Sequence, residues 1–281
     1  LIGYCKSSII VECNSNGTIT AVGNVGGLIG YLSTIDEESR VIHSSFSGDI
    51  YASTESNIGG FIGMNLAGGN DAYIQECKSS GNIYHIGNEN RPITEGLGGF
   101  IGKNKSNDNG IYISSCFSTT DISTNAIDVG GFVGTNITNS NESVIDISFC
   151  FADCSISSDY RNVGGFCGSS IAWNGEIDIK RCYSSGSVSG EDIQSDYVGG
   201  FIGLVYTSST SNIIMENCFS NCSVSSITND GVIGGFVGIT SNNNEIVFRK
   251  CYSVGSVDGS IDLGGFCGIN TNASFENCYW D

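Results

Sequence analysis

One five-residue block recurs eight times along this chain, and its spacing constrains the fold more than any other feature. It reads GGLIG from Gly26, GGFIG from Gly59, Gly98 and Gly199, GGFVG from Gly130 and Gly234, and GGFCG from Gly164 and Gly264. Successive blocks start 30 to 39 residues apart, about 34 on average. A period in this range marks a stacked-repeat architecture, because one unit is too short to bury its own apolar face and must lie against its neighbours.

A second block sits between the glycine blocks. It reads I-x-x-C-(F/Y)-S followed by G-x-V, as in Ile113 to Ser118, Ile179 to Val188 and Phe248 to Val257. Its cysteine column is Cys13, Cys77, Cys116, Cys150, Cys182, Cys218, Cys251 and Cys278, with Ser45 expected in the one missing place. Counting in twos from Cys182 gives Ser184, Gly186 and Val188, small residues on one face of a strand. That face is expected to line a narrow interior. In the glycine block, Gly59, Gly60, Phe61 and Gly63 exemplify the pattern, as do Gly130, Gly131, Phe132 and Gly134. An aliphatic residue always precedes the Gly pair, so both faces of this segment are apolar. A second layer of the same coil is expected to cover the Phe column.

Composition agrees with strands and tight turns. Glycine numbers 40 and proline 1, while Ala, Leu and Met are scarce beside Val, Ile, Ser, Thr and Asn. Asn24, Asn57, Asp128, Asn162 and Asp262 lie two residues before the Gly pair, and Asn65, Asn104, Asn136 and Asn270 six after its first Gly. Such residues suit left-handed corners, and stacked amides can form ladders. The expected fold is all-β: a single parallel β-helix-like solenoid over residues 1–281, of about eight coils with ~34 residues each.

Of the 13 cysteines, 12 fall on inward positions, including Cys154, Cys167, Cys222 and Cys267. A column of reduced thiols packed as small hydrophobes is the favoured reading. Disulfides between coils and metal binding stay open. Parallel Cβ vectors fit a disulfide poorly, no CxxC pair exists, and only His43 and His85 supply imidazole.

The blocks GGLIG, GGFIG, GGFVG and GGFCG, the C-Y-S-x-G-x-V segments and the terminal Cys278-Tyr279-Trp280-Asp281 resemble the GLUG-motif repeats of large bacterial surface proteins. Most copies here carry Phe where that family's name has Leu. The resemblance covers nearly the whole chain and implies a secreted or surface location with an adhesive or spacer role. It carries no catalytic residues across.

The formal charge of −18 argues against nucleic-acid partners and anionic lipid. No apolar run is long enough for a membrane span. The chain starts at Leu1 without a leader-like segment and reads as a mature product or an excised piece. Three functions come into question for such a chain. A structural or adhesive extracellular module, stalk or fibre subunit is the leading one, with itself, a cell-surface protein or a glycan as partner. The alternative is a carbohydrate-binding or carbohydrate-active β-helix. Catalysis would need paired carboxylates, yet the acidic residues scatter through turns such as Asp36-Glu37-Glu38 and Glu191-Asp192, so no enzyme activity is expected. An ice- or mineral-binding surface ranks last, because Ser and Thr are expected mostly in irregular turns. The longest interval holds the only proline, and there Tyr84, His85 and Arg91 form a candidate binding loop. No cofactor is expected beyond weak Ca²⁺ at Asp128, Asp196, Asp230 and Asp262, which are not in strict register.

Overall fold

The computed structural model describes residues 2–53, 56–87, 96–190, 197–208, 210–226, 231–259 and 262–281. These residues form a parallel β-solenoid without a helix, with about seven turns of about 33 residues, close to the eight coils expected. The strands stack into three sheets of 16, 11 and 8 strands. The long sheet is built from strands such as Ile62–Ala67 and Ala72–Gln75, which merge into single strands at Val133–Ser148 and Cys167–Lys180. The second sheet stacks Lys78–His85, Phe117–Thr124, Phe151–Ser158, Tyr183–Gly190 and Phe219–Ser226. The third, a glycine sheet, uses two- and three-residue strands such as Ile58–Gly59 and Val129–Gly130. Strand pairing carries Gly59, Gly98, Gly130, Gly164, Gly199, Gly234 and Gly264 in one register.

Glycine is required in the block because backbone occupies the space of a side chain. A Cβ on Gly130 would lie 2.0 Å from the Val133 carbonyl oxygen, inside the bend that turns the glycine strand into the long sheet. A Cβ on Gly131 would lie 2.3 Å from the Gly165 carbonyl oxygen and 3.1 Å from the Ala152 Cβ, across the coil on the second sheet. The coil is therefore pinched at the glycine sheet, and the small residues of the second sheet face it. Ser79 and Ser184 use the closeness by donating to the Gly99 and Gly200 carbonyls, each at 2.7 Å.

The phenylalanines turn into the coil and are covered internally, as expected. Phe61, Phe100, Phe132, Phe166, Phe201 and Phe236 are fully buried. Their ring centroids follow one another at 4.6 to 4.8 Å, and Phe266 continues the stack at 4.8 Å. Phe236 also meets Phe248 of the long sheet edge-on at 6.1 Å, so the column packs against the opposite wall of its own coil.

The cysteine column follows the same logic, with one correction. Strand register pairs Cys77 with Ser44, not Ser45, because Lys78 lies over Ser45. Ser45 faces outward, and the Ser44 hydroxyl accepts the Cys13 N–H at 3.0 Å. Elsewhere sulfur takes this role: the Cys77 N–H donates to the Cys116 sulfur at 3.4 Å, and the Cys116 N–H to the Cys150 sulfur at 3.4 Å. All 13 cysteines are free thiols, and Cys5 is inward as well. Burial pushes the Cys154 and Cys167 thiols up to about 12 and holds Cys116 and Cys150 well above the ordinary thiol range.

Each residue immediately before this column takes a left-handed backbone, with φ between 50° and 55° at Glu12, His43, Glu76, Ser115, Phe149, Arg181, Asn217, Lys250 and Asn277. This corner swings the chain from the long sheet to the second sheet. A non-glycine residue there costs about 1–2 kcal/mol, which the stacked neighbours must hold in place. Before the Gly pair, positive φ occurs as expected at Asp128, Asn162 and Asp262. Asn24 and Asn57 do not share the positive φ, but Asn57 Nδ2 donates to Asn24 Oδ1 at 2.9 Å, as Asn162 Nδ2 does to Asp128 Oδ1 at 2.6 Å. Of the other expected amide column, three members form a buried ladder: Asn65 Nδ2 donates to Asn104 Oδ1 at 3.0 Å, and Asn104 Nδ2 to Asn136 Oδ1 at 2.9 Å, while Asn270 stands apart, exposed, and accepts from the Thr240 hydroxyl.

Candidate functional site

The outer face of the second sheet is the most ordered exposed surface among the described residues. Its strands pair without slippage from Lys78–His85 to Ser45–Ala52 on one side and Phe117–Thr124 on the other. Tyr183–Gly190 pairs in the same unbroken way with both of its neighbours. Alternation sends every second side chain outward, so equivalent residues form straight columns. Three runs of outward side chains are polar: Asp153 and Ser185; Ser155 and Ser187, with Asp121 of the preceding coil bonded to Ser155; and Ser123, Ser157 and Ser189. The expectation that Ser and Thr fall mostly in irregular turns is therefore wrong here. They occupy a flat lattice, because the G-x-V half of the second block is strand and not turn. Within it Asp121 accepts the Ser155 N–H at 2.7 Å and Asp153 accepts the Ser185 hydroxyl at 2.7 Å.

An aromatic column flanks the lattice. Phe117 stacks on Phe151 at 4.9 Å and Phe151 on Tyr183 at 4.8 Å, with planes within 3°. Stacking of this kind covers the ring faces with one another and leaves edges toward solvent. Tyr84 is arranged differently. It stacks on Tyr51 at 5.0 Å through one face. On its other side the register places Ser123, which has no ring. The second face of Tyr84 is thus open and walls a trough of about 260 Å³. Asn82, Asp121, Ser155 and Ser187 line one flank, and Ser123, Ser157 and Ser189 the other. Among the described residues no Lys, Arg or His side chain lines it.

Of the described residues of the candidate binding loop, Tyr84 is placed to meet a ligand. His85 is a correction: it is 2 % exposed, its Nδ1 lies 3.0 Å from the Thr124 hydroxyl, and alternation along the strand turns it inward. Arg91 lies outside the described residues. The trough itself went unseen in the sequence, although the replacement of Tyr51 and Tyr84 by Ser123, Ser157 and Ser189 at one column was readable once the register was known.

The structure brings together two carboxylates that look scattered in sequence. Asp146 and Asp178 are register partners on the long sheet's outer face, and Lys180 Nζ pairs with Asp178 at 2.6 Å. Burial raises the Asp146 carboxyl above its ordinary value, and the Asp178 charge adds to this while Lys180 opposes it. The Asp128 carboxyl is also raised by burial, against hydrogen bonds that favour its charge. Its oxygens accept from Asn162 Nδ2 at 2.6 Å and from the Thr135 hydroxyl at 3.3 Å. Asp196 and Asp230 lie outside the described residues. Among the described residues no group of three or more His, Cys, Asp or Glu is gathered as a metal ion would need, and no helix is long and apolar enough to cross a membrane.

Comparison with protein-family models, with curated proteins and with solved structures finds no match for this chain.

Proposed function

We propose that this chain is a structural and adhesive repeat module that works at the cell surface or outside the cell, as a stalk or fibre segment. The observation that carries the reading is the coil-on-coil stacking of parallel strands into three sheets that run the length of the solenoid. Each coil contacts its neighbours only, so length is gained by adding coils and not by redesigning a core. The Gly-Gly-Phe-x-Gly blocks resemble the GLUG-motif repeats of bacterial surface proteins, and that resemblance supports the reading. The acidic surface suits a long particle that must stay soluble. The outermost layers carry the same columns as interior ones, from Cys13 to Cys278, so either can accept a further layer from the same protein or from a second copy.

Electron microscopy of the purified chain tests the reading. Short rods of about 40 Å, from eight layers at ~4.8 Å, or filaments with that axial unit are expected. Rounded particles without an axial repeat would sink it. A second reading, a carbohydrate-binding surface, is favoured by one observation, the open aromatic face of Tyr84 above a hydroxyl-lined trough.

A further inference from the structure

We infer that the trough beside Tyr84 binds a neutral glycan, one pyranose ring lying on the free face of the Tyr84 ring and the sugar chain running along the solenoid axis over Ser123, Ser157 and Ser189. This rests on the carbohydrate-binding reading and assigns it a site, a ligand class and a direction.

Four observations converge. First, Tyr84 offers a flat apolar face on one side only, because Tyr51 covers the other. A pyranose has a matching C–H face and presents hydroxyls at its rim. Second, Ile83, Ile122 and Ile156 line the trough together with hydroxyl, amide and carboxylate groups. A purely apolar ligand would strip water from these groups without replacing their hydrogen bonds, whereas sugar hydroxyls both donate and accept. Third, the electrostatics select against anions. Asp121 lies in the trough, no basic side chain among the described residues lines it, and the chain carries −18. An acidic glycan or a phosphorylated ligand would enter against like charge. Fourth, the size fits a short stretch of chain. The volume of about 260 Å³ lies below the ~300–1,000 Å³ of drug-sized pockets. The lining spans four coils, a length of about 14 Å at ~4.8 Å per step. The neighbouring Phe151 cannot substitute for Tyr84, since Phe117 and Tyr183 cover both its faces, and Tyr183 does not line the trough.

Affinity electrophoresis of the whole chain through gels containing mannan, xylan, β-glucan or galactan tests this, with polygalacturonate as the anionic comparison. At least one neutral polysaccharide should retard the chain. Tyr84→Ala should weaken that retardation about tenfold, Tyr84→Phe should keep it within about threefold, and Tyr183→Ala should leave it unchanged. Because Tyr84→Phe keeps the ring, it separates loss of stacking from loss of folding. Retention of full retardation by Tyr84→Ala would overturn the assigned site while leaving carbohydrate binding standing. Absence of retardation by every neutral polysaccharide would overturn both. Stronger retardation by polygalacturonate than by any neutral polymer would overturn the ligand class.

Discussion

Replacing Asn104 alone by leucine is expected to cost more than replacing the whole amide ladder to which it belongs. Asn104 is fully buried, accepts from Asn65 Nδ2 at 3.0 Å and donates to Asn136 Oδ1 at 2.9 Å. Its column is sterically open to apolar residues: Leu32 and Val205 occupy register-equivalent positions with no exposure. The cost of Asn104→Leu is therefore polar. It strands one donor and one acceptor, each worth about 1–3 kcal/mol when buried without a partner. Burying the leucine returns about 1.5–3 kcal/mol, so taking the middle of each range a net loss of roughly 2 kcal/mol is expected. The triple replacement of Asn65, Asn104 and Asn136 by leucine leaves no stranded amide. It also removes the Asn65 Oδ1, which has no partner in the native column. Beyond the ladder it loses only the weak contacts of Asn136 Nδ2 to Ser170 at 3.3 Å and Cys167 at 3.4 Å. The triple variant should lie within about 1 kcal/mol of the native chain. Urea unfolding followed by circular dichroism reads the totals, and amide hydrogen exchange over residues 101–106 reads the local effect, which a solenoid can confine to neighbouring coils. A single change costing under about 1 kcal/mol, or a triple cost equal to the sum of three singles, would refute the reasoning.

The Phe column and the glycine bends give sharper contrasts. Phe132→Ala should cost about 3–5 kcal/mol and Phe132→Leu far less, since Leu28 fills the same place unexposed in the first coil; equal costs in chemical unfolding would contradict this. Gly131→Ala should destabilise by at least about 2 kcal/mol because its Cβ would meet the Gly165 oxygen at 2.3 Å. Gly68→Ala, whose nearest contact would be an ordinary 3.7 Å, should be tolerated within about 1 kcal/mol, and thermal melts of the pair check the difference. Asp128→Asn should raise the melting temperature at pH 7. The folded carboxyl titrates above its ordinary 3.8, so the buried charge opposes folding at neutral pH and ceases to as pH falls below that value. A gain that grew on acidification would reverse the sign and sink the explanation. Finally, the ten buried thiols should resist Ellman's reagent at pH 8 in the native chain, while denaturation should release all 13.

Much of the fold was legible because the repeat is nearly identical in every coil. Gly-Gly-Phe-x-Gly at fixed spacing specifies where the chain bends, where backbones touch and which ring goes inside, and eight copies make the stacking unmistakable. The amide ladder was legible for the same reason, as Asn65, Asn104 and Asn136 hold one offset from their glycine pair. The site was not. His85 and Tyr84 are adjacent in an interval that looked like a loop, yet the strand runs through His85 and alternation sends one outward and the other in. The left-handed corner escaped notice too, because Glu76, Phe149, Arg181 and Lys250 share no chemistry that announces positive φ.

From the sequence alone came the period, the solenoid, the glycine-pinched coil and the identity of the buried columns. The tertiary structure alone decided the one-residue registers: Ser44 and not Ser45 under Cys77, His85 inside and Tyr84 outside, Ser123 opposite the free face of Tyr84. The physical reason is that a β-strand reverses its faces with every residue. A pattern averaged over eight coils tells which columns exist, but only the hydrogen-bonded pairing of each strand with the next tells which side chain stands in which column.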